Sequence, residues 1–345
     1  MNTHDENTQE EAAIRLIFDF EYRKQLPDLS RFANLKLLSC FNNQITHLAF
    51  LPPLLEHLNC AFNCLEHLPE LPHNLKYLNC NANKITELSN LPSNLSELHC
   101  SSNLLKTISK LPPKLVELNC CCTHTLTEVS SLPDSLERLI CFDNALSEIP
   151  ALPPQLNFLN CQKNRITHIP QLPDKLRVLR CSDNYLTHLP PLPRNMESLL
   201  CNKNRLAQLP ELPLTLKYLN CNDNMLVKLP QLPPNLYCLF CSFNKLSGLL
   251  PNLPIALDDN HRFNFYSNDL IYKRNTIQYV NGANQSFARF KYLFYCLKYK
   301  QRFRNWLWDI VRRPKIESQY HPYRIAELLD NGVDLEDLES ALGLN

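Results

Sequence analysis

Residues 214–246 read "LTLKYLNCNDNMLVKLPQLPPNLYCLFCSFNKL". The stretch states one pattern twice. Leu216, Leu219, Cys221, Asn224 and Leu226 are answered twenty residues on by Leu236, Leu239, Cys241, Asn244 and Leu246. Between the two passes lies "LPQLP" (229–233). A fixed period of this length is the signature of a stacked array, so it decides the fold before any single residue does.

The period extends well beyond these two units. Cysteine recurs at Cys40, Cys60, Cys80, Cys100, Cys120, Cys141, Cys161, Cys181, Cys201, Cys221 and Cys241, with one step of twenty-one. Asparagine follows three residues later in every unit except the fifth, where Thr123 or His124 takes its place. Leucine stands two residues before each cysteine. It also stands five before in every unit but one, which has Met196.

The pattern has a physical reading. Strand side chains alternate, so in "YLNCN" (218–222) Leu219 and Cys221 share one face while Tyr218, Asn220 and Asn222 share the other. The leucine–cysteine face must be the core, and only neighbours on both sides can bury it. A free thiol behaves as a small, soft hydrophobe and is among the most buried side chains. Asparagine then turns the chain out of the strand, and its amide can bond backbone groups of adjacent turns. Proline fixes φ and lacks an N–H, so "LPxLP" predicts an extended, polyproline-like return rather than a helix. At roughly 4.8 Å between strands, eleven units span on the order of 50 Å. Unit five, "NCCCTHTLTEV" (119–129), carries the extra residue and predicts a local bulge with the stack continuing on either side.

This L-x-x-L-x-C-x-x-N-x-L pattern resembles the leucine-rich repeat, with cysteine at the third leucine. The resemblance covers about residues 35–254. The "LPxLP" form is similar to the shortest bacterial version, found in type III secreted effectors. It implies a mostly β, right-handed α/β solenoid of eleven short parallel-strand repeats, with a concave sheet face and a polyproline-like convex side.

Such a stack needs covers on its first and last units. Residues 9–24, "QEEAAIRLIFDFEYRK", carry apolar Ile14, Ile17, Phe18 and Phe20 among charges, and the acidic start and basic end suit a helix dipole. A capping helix is therefore expected within residues 1–34, ahead of the repeats. After Pro254 the composition changes. An irregular connector is expected over 255–283 and a helical tail over 284–345. Between 284 and 315 nine Lys or Arg and nine aromatics face one acid, Asp309. The run from "WLWDIVRRPKIESQYHP" (306–322) to "DLEDL" (334–338) resembles tails of proteins from giant DNA viruses of the mimivirus kind. That resemblance implies a viral leucine-rich repeat protein, acting in the host cytoplasm or carried in the virion.

Composition narrows the function. The formal net charge is +1, so there is no global field for nucleic acid or acidic membrane. No apolar run approaches a membrane span, and the polar start "MNTHDENTQEEAAIRL" lacks the order of a secretory signal, so a non-secreted monomer is expected. Only 4 glycines occur, all from Gly248 onward, so the repeats must turn without them.

The 16 cysteines raise two other readings. Disulfides are disfavoured, because rungs about 4.8 Å apart exceed the β-carbon spacing of about 3.8 Å that a bridge needs. "CCCTH" (120–124) is the best metal candidate, yet consecutive strand residues point to opposite faces. No metal or cofactor is expected. The secreted bacterial effectors often carry a ubiquitin-ligase domain with a Cys-x-Asp motif. Here "CFD" (141–143), "CSD" (181–183) and "CND" (221–223) match that string, but each cysteine lies in the core column, where a thiol is a poor nucleophile. No other catalytic grouping appears, so no enzyme activity is expected.

The outward face remains. Its columns lie three before, one before and one after each core cysteine. Arg138, Ile140, Phe142, Phe158, Asn160 and Arg180 occupy its middle. Tyr218, Asn220, Tyr237, Phe240 and Phe243 lie toward its C-terminal end. Arginine and aromatic side chains are the usual anchors of protein interfaces. The expected function is a protein-binding scaffold with a host partner on the concave face. The alternative is a nucleic-acid or membrane adaptor working through the basic aromatic tail. The ligase reading is the least favoured.

Overall fold

The computed structural model describes residues 13–247 together with 263, 264 and 268. The chain divides into two units, Met1–Tyr272 and Lys273–Asn345. Every described residue belongs to the first.

The described part of the first unit is a stack of parallel strands, one per turn with a second short strand in two of the turns. In chain order they are β1 (Arg15–Ile17), β2 (Leu37–Ser39), β3 (His57–Asn59), β4 (Tyr77–Asn79) and β5 (Glu97–His99). There follow β6 (Thr107–Ile108), β7 (Glu117–Asn119), β8 (Glu128–Val129), β9 (Arg138–Ile140) and β10 (Phe158–Asn160). The last are β11 (Val178–Arg180), β12 (Ser198–Leu200), β13 (Tyr218–Asn220), β14 (Cys238–Phe240) and β15 (Phe263–Asn264). Thirteen of them form one sheet, interrupted in order only because β6 and β8 pair separately. Pairing is in register from turn to turn: Leu159 lies between Leu139 and Leu179.

The core is a set of columns. All eleven column cysteines are wholly buried, as are the residues five before them, Met196 included. Each turn also inserts a buried aliphatic five residues after its cysteine, from Ile45 to Leu246, except unit five, where Leu126 stands six after Cys120. The second proline of each return opens the next turn. Leu75 N–H, for example, donates to the Pro72 carbonyl at 3.0 Å. The first proline of the return is absent from units one, three, four and five, where Ala49, Ser89, Ser109 and Ser130 stand, and the last two lie beside a second strand pairing. There a backbone donor is restored, Ser130 N–H reaches the Ile108 carbonyl at 2.8 Å, and β6 pairs with β8.

The asparagine column is a ladder. Asn184 Nδ2 donates to the carbonyls of Cys161 (3.0 Å), Cys181 (3.1 Å) and Ser182 (3.2 Å), and its Oδ1 accepts from Ile166 N–H at 3.0 Å. One side chain thus closes its own turn and clamps the preceding one, and Asn63, Asn83, Asn103, Asn164, Asn204, Asn224 and Asn244 do the same. The residue before each of the ten column asparagines takes positive φ, as does Cys122 before Thr123, giving eleven positions from Asn42 to Phe243, none of them glycine. A left-handed conformation at a residue with a Cβ costs roughly 1–2 kcal/mol. It is held there by bonds on both sides, such as Lys203 N–H to the Asn222 carbonyl and Asn204 N–H to the Asp223 carbonyl.

Unit five departs as its sequence predicts. β7 and β9 stay in register, and the extra residue is absorbed after the strand, where Cys122 and His124 both take positive φ. Thr123 cannot replace the amide. It becomes a donor instead, giving its N–H to Asn144 Oδ1 at 3.0 Å.

Both ends of the repeat correct the expectation. The helix expected over residues 9–24 is absent from the described part, which holds β1 and no helix. The run Ile14, Leu16, Phe18, Phe20 also fits a period of two. The exposed edge of β2 decides between the periods, since its donors need partners. Lys36 and Leu37 N–H donate to the Ile14 carbonyl, and Phe41 N–H donates to Asp19 Oδ1 at 2.8 Å. Leu16 and Phe18 pack against the core, and Asn43 Nδ2 reaches the Phe18 carbonyl at 2.6 Å. At the other end the sheet continues beyond residue 254. β15 pairs with β14, and Asn268 Nδ2 donates to the Cys241 carbonyl at 3.1 Å, which adds a rung to the ladder. The connector assigned to 255–283 therefore contains a further strand. The helical tail assigned to 284–345, its basic aromatic stretch included, lies outside the described residues.

Candidate functional site

The two faces of the sheet differ in chemistry. On the inner face, burial pushes the thiols of Cys80, Cys161, Cys201 and Cys241 up to about 12. Cys60, Cys100, Cys141, Cys181 and Cys221 are raised well above the ordinary range, first by burial and then by neighbouring thiols. These groups stay protonated and out of solvent. Cys141, Cys181 and Cys221, which begin the three Cys-x-Asp strings, are therefore unsuited to nucleophilic attack. At "CCCTH", burial and the neighbouring Cys121 raise the Cys122 thiol to about 11. Among the described residues no group of three or more His, Cys, Asp or Glu converges to hold a metal. No helix among them is long and apolar enough to cross a membrane.

The outer face presents three side chains per turn. At its middle the register brings Arg138 beside Phe158, with Arg180 diagonal to Phe158 on the next strand. The Arg138 guanidinium lies 4.5 Å from the centre of the Phe158 ring, and that of Arg180 lies 5.4 Å from it. Arg138 Nε also donates to Glu117 Oε2 at 3.0 Å. Three of the sequence candidates thus form one cluster across β9, β10 and β11. Ile140, Phe142, Phe158 and Phe240 are half-buried. Toward the C-terminal end Tyr218 and Tyr237 meet edge to face at 5.7 Å. Phe243 is exposed, at a positive-φ position on the exit loop.

Asn160 and Asn220 have backbone roles. Asn160 is buried and accepts from Gln162 N–H at 3.3 Å, and Asn220 accepts from Asn222 N–H at 3.2 Å. Asn59 and Asn79 repeat the arrangement. An asparagine one residue before the core cysteine accepts from its own strand's exit, as the residue type favours.

Two groupings had not been singled out in the sequence. Phe20, Phe41 and Phe62 stack edge to face at 5.2 Å along the N-terminal exit loops. His57, Tyr77 and His99 form a tilted stack at 5.8 and 5.4 Å. The signal of the first was present as aromatics one or two residues beyond the cysteine in "CFNN" and "CAFN", and that of the second as His57, Tyr77 and His99 three or one before it, but each shows as a grouping only once strands are in register.

Charge divides the outer face. Over the first five turns its three columns contain Glu97 and Glu117 and no Lys or Arg. Over the last six they contain Arg138 and Arg180 and no Asp or Glu. Other charges line the strands' leading edge, four residues before the cysteine. There Glu56 bridges Lys36 and Lys76, and Glu197 bridges Arg177 and Lys217.

No family model matches the chain, and no curated protein does. Solved structures do. YopM from Yersinia enterocolitica is 38% identical over 72% of this chain, with a TM-score of 0.68. The chain spans 54% of that protein's length. YopM from Yersinia pestis, described as a leucine-rich effector protein, is 29% identical over 76% of this chain and 86% of its own, with a TM-score of 0.56. InlJ from Listeria monocytogenes, whose functional domain includes a cysteine ladder, shares the fold at 24% identity. That match covers 70% of this chain and 66% of that one, with a TM-score of 0.51. Repeat spacing, in-register strands and these likenesses agree: the chain is a leucine-rich repeat protein, similar to the YopM effectors of Yersinia.

Proposed function

We propose that the chain is a non-enzymatic scaffold that docks a protein on the outer face of its sheet. The observation that carries this reading is the Arg138–Phe158–Arg180 cluster at the middle of that face. Half-buried Arg138 and Phe158 and exposed Arg180 stack on this face while the opposite face is committed to packing. Such groups are the usual anchors of a protein interface. In this reading the partner is a host protein met in the host cytoplasm. The likeness to a described effector supports it, as does the resemblance of residues 306–338 to giant-virus tails.

The test is affinity capture from host lysate, followed by mass spectrometry. Wild type is compared with an Arg180→Glu, Tyr218→Ala, Tyr237→Ala variant. All three positions are exposed, so the variant is expected to keep the wild-type melting transition. It is expected to lose the specific partner. Identical partner lists from two equally folded proteins would dismiss this face.

A further inference from the structure

Resting on that reading, we propose that the last six turns of the outer face take an acidic protein segment flanked by apolar residues. The Arg180 guanidinium is the group that pairs with the segment's carboxylate.

The charges on the face select the partner. Across β9 to β14 the three outward columns hold two cations and no acid. Arg138 is already neutralised by Glu117 at 3.0 Å. Arg180 is exposed, and the ion pairs among the described residues do not include it. It is nonetheless placed, because the Phe158 ring supports its guanidinium at 5.4 Å. An aromatic support orients a guanidinium and leaves its in-plane donors free. Arg177, three residues earlier, serves as an internal contrast, since Glu197 pairs with it at the sheet's edge.

One free fork matches one carboxylate, which it can bind through two parallel hydrogen bonds. Nucleic acid needs many cations in a row, and this face offers one. A phosphate group, near two charges at neutral pH, would leave a charge unmatched there. Around Arg180 the register places Leu200 and Asn160, with Val178 on the same strand. Apolar and amide side chains therefore border the cation, and they favour apolar residues on either side of the partner's acid.

The experiment uses the full chain and immobilised nonapeptides with a central Leu-Glu-Phe, alongside versions with Gln, Lys or phosphoserine in place of Glu. The Glu peptide should be captured about ten-fold better than the Gln peptide, a difference of about 1.4 kcal/mol. Arg180→Gln should reduce capture of the Glu peptide to the Gln level, while Arg177→Gln leaves it unchanged. Equal capture of Glu and Gln peptides would overturn the inference, as would preference for phosphoserine, equal loss in the two arginine variants, or no capture of any peptide. Lysate capture by the face decides the docking reading separately. A partner lost on Tyr218→Ala but kept on Arg180→Gln would sink the carboxylate pairing and leave the docking face standing.

Discussion

From Leu35 to Cys120 and from Leu136 to Cys241 the inward columns carry the same leucine, leucine, cysteine order, Met196 apart. The outward columns of the first stretch carry glutamate and histidine, while those of the second carry arginine. The contrast separates two kinds of constraint. An inward residue is packed by the turns on both sides, so a change in one rung is felt by its neighbours. An outward residue meets solvent and only its cross-strand partners, so it can change with the ligand. The period therefore encodes the fold, and departures between halves encode recognition.

If the inner columns of the two halves are equivalent, alkali should unfold both together, and this is the largest effect expected. An unfolded thiol ionises near pH 8.5. The folded thiols are raised by burial, those of Cys80 and Cys201 to about 12. A raised folded value means that stability is full below the unfolded value and falls as pH rises toward the folded one. Each thiol contributes roughly 1.4 kcal/mol per pH unit in that window, so eleven exceed a typical total stability of about 5–15 kcal/mol. Circular dichroism against pH should show one cooperative loss between pH 9 and 11. A sheet still intact at pH 11 would break the equivalence.

The asparagine ladder sharpens the comparison next. Asn83→Ala in the first half and Asn184→Ala in the second each strip several bonds from buried backbone. Both should cost about 3 kcal/mol in urea unfolding. Thr123→Ala, at the rung where the ladder is already interrupted, should cost about 1 kcal/mol. Equal losses at all three positions would remove the ladder from the account.

Smaller again is the effect at the turn positions. Ala82→Val and Lys203→Val place β-branched residues at positive φ and should each lose about 1–2 kcal/mol. Lys203→Gly should be close to neutral in the same melt, because it removes strain but adds unfolded-state freedom.

The smallest effect belongs to the two edge triads. Hydrogen bonds from Lys76 and then Lys36 hold Glu56 below the ordinary carboxylate range, and those from Arg177 and then Lys217 do so for Glu197. A lowered value gives stability above the ordinary range that is lost as pH falls through it. Both triads are solvated, so Glu56→Gln and Glu197→Gln should shift the melting temperature only slightly at pH 7. Neither should shift it in 1 M salt.

Much of this was legible in the sequence. The twenty-residue step assigned each column to a face, and eleven aligned cysteines left little else for them to be. Two features were legible in principle and misread. "IRLIFDFEYR" satisfies helical and strand periods alike, and only the unfilled edge of β2 chooses between them. "FNFYSNDL" (263–270) keeps the asparagine but has Phe263 and Phe265 in the leucine and cysteine slots. The substitutions hid a rung that Asn268 shows to be present. On the outer face, residue type found Arg138, Phe158 and Arg180, and register alone could show that they meet. Residue type did not show that Asn160 is occupied by its own backbone, since that depends on an Asx turn rather than on exposure.

The central claim is that the cysteine column is interior filling on which the turns nest. Its most direct test is timed alkylation of undenatured protein with iodoacetamide at pH 7.5, read by peptide mass spectrometry. Cys64 and Cys238, which are partly exposed, should label first, and Cys122, whose thiol is raised, after them. The eleven column thiols should label only at the rate of unfolding. Labelling of the column at the rate of a free thiol in protein that still shows its full β signal would contradict the account.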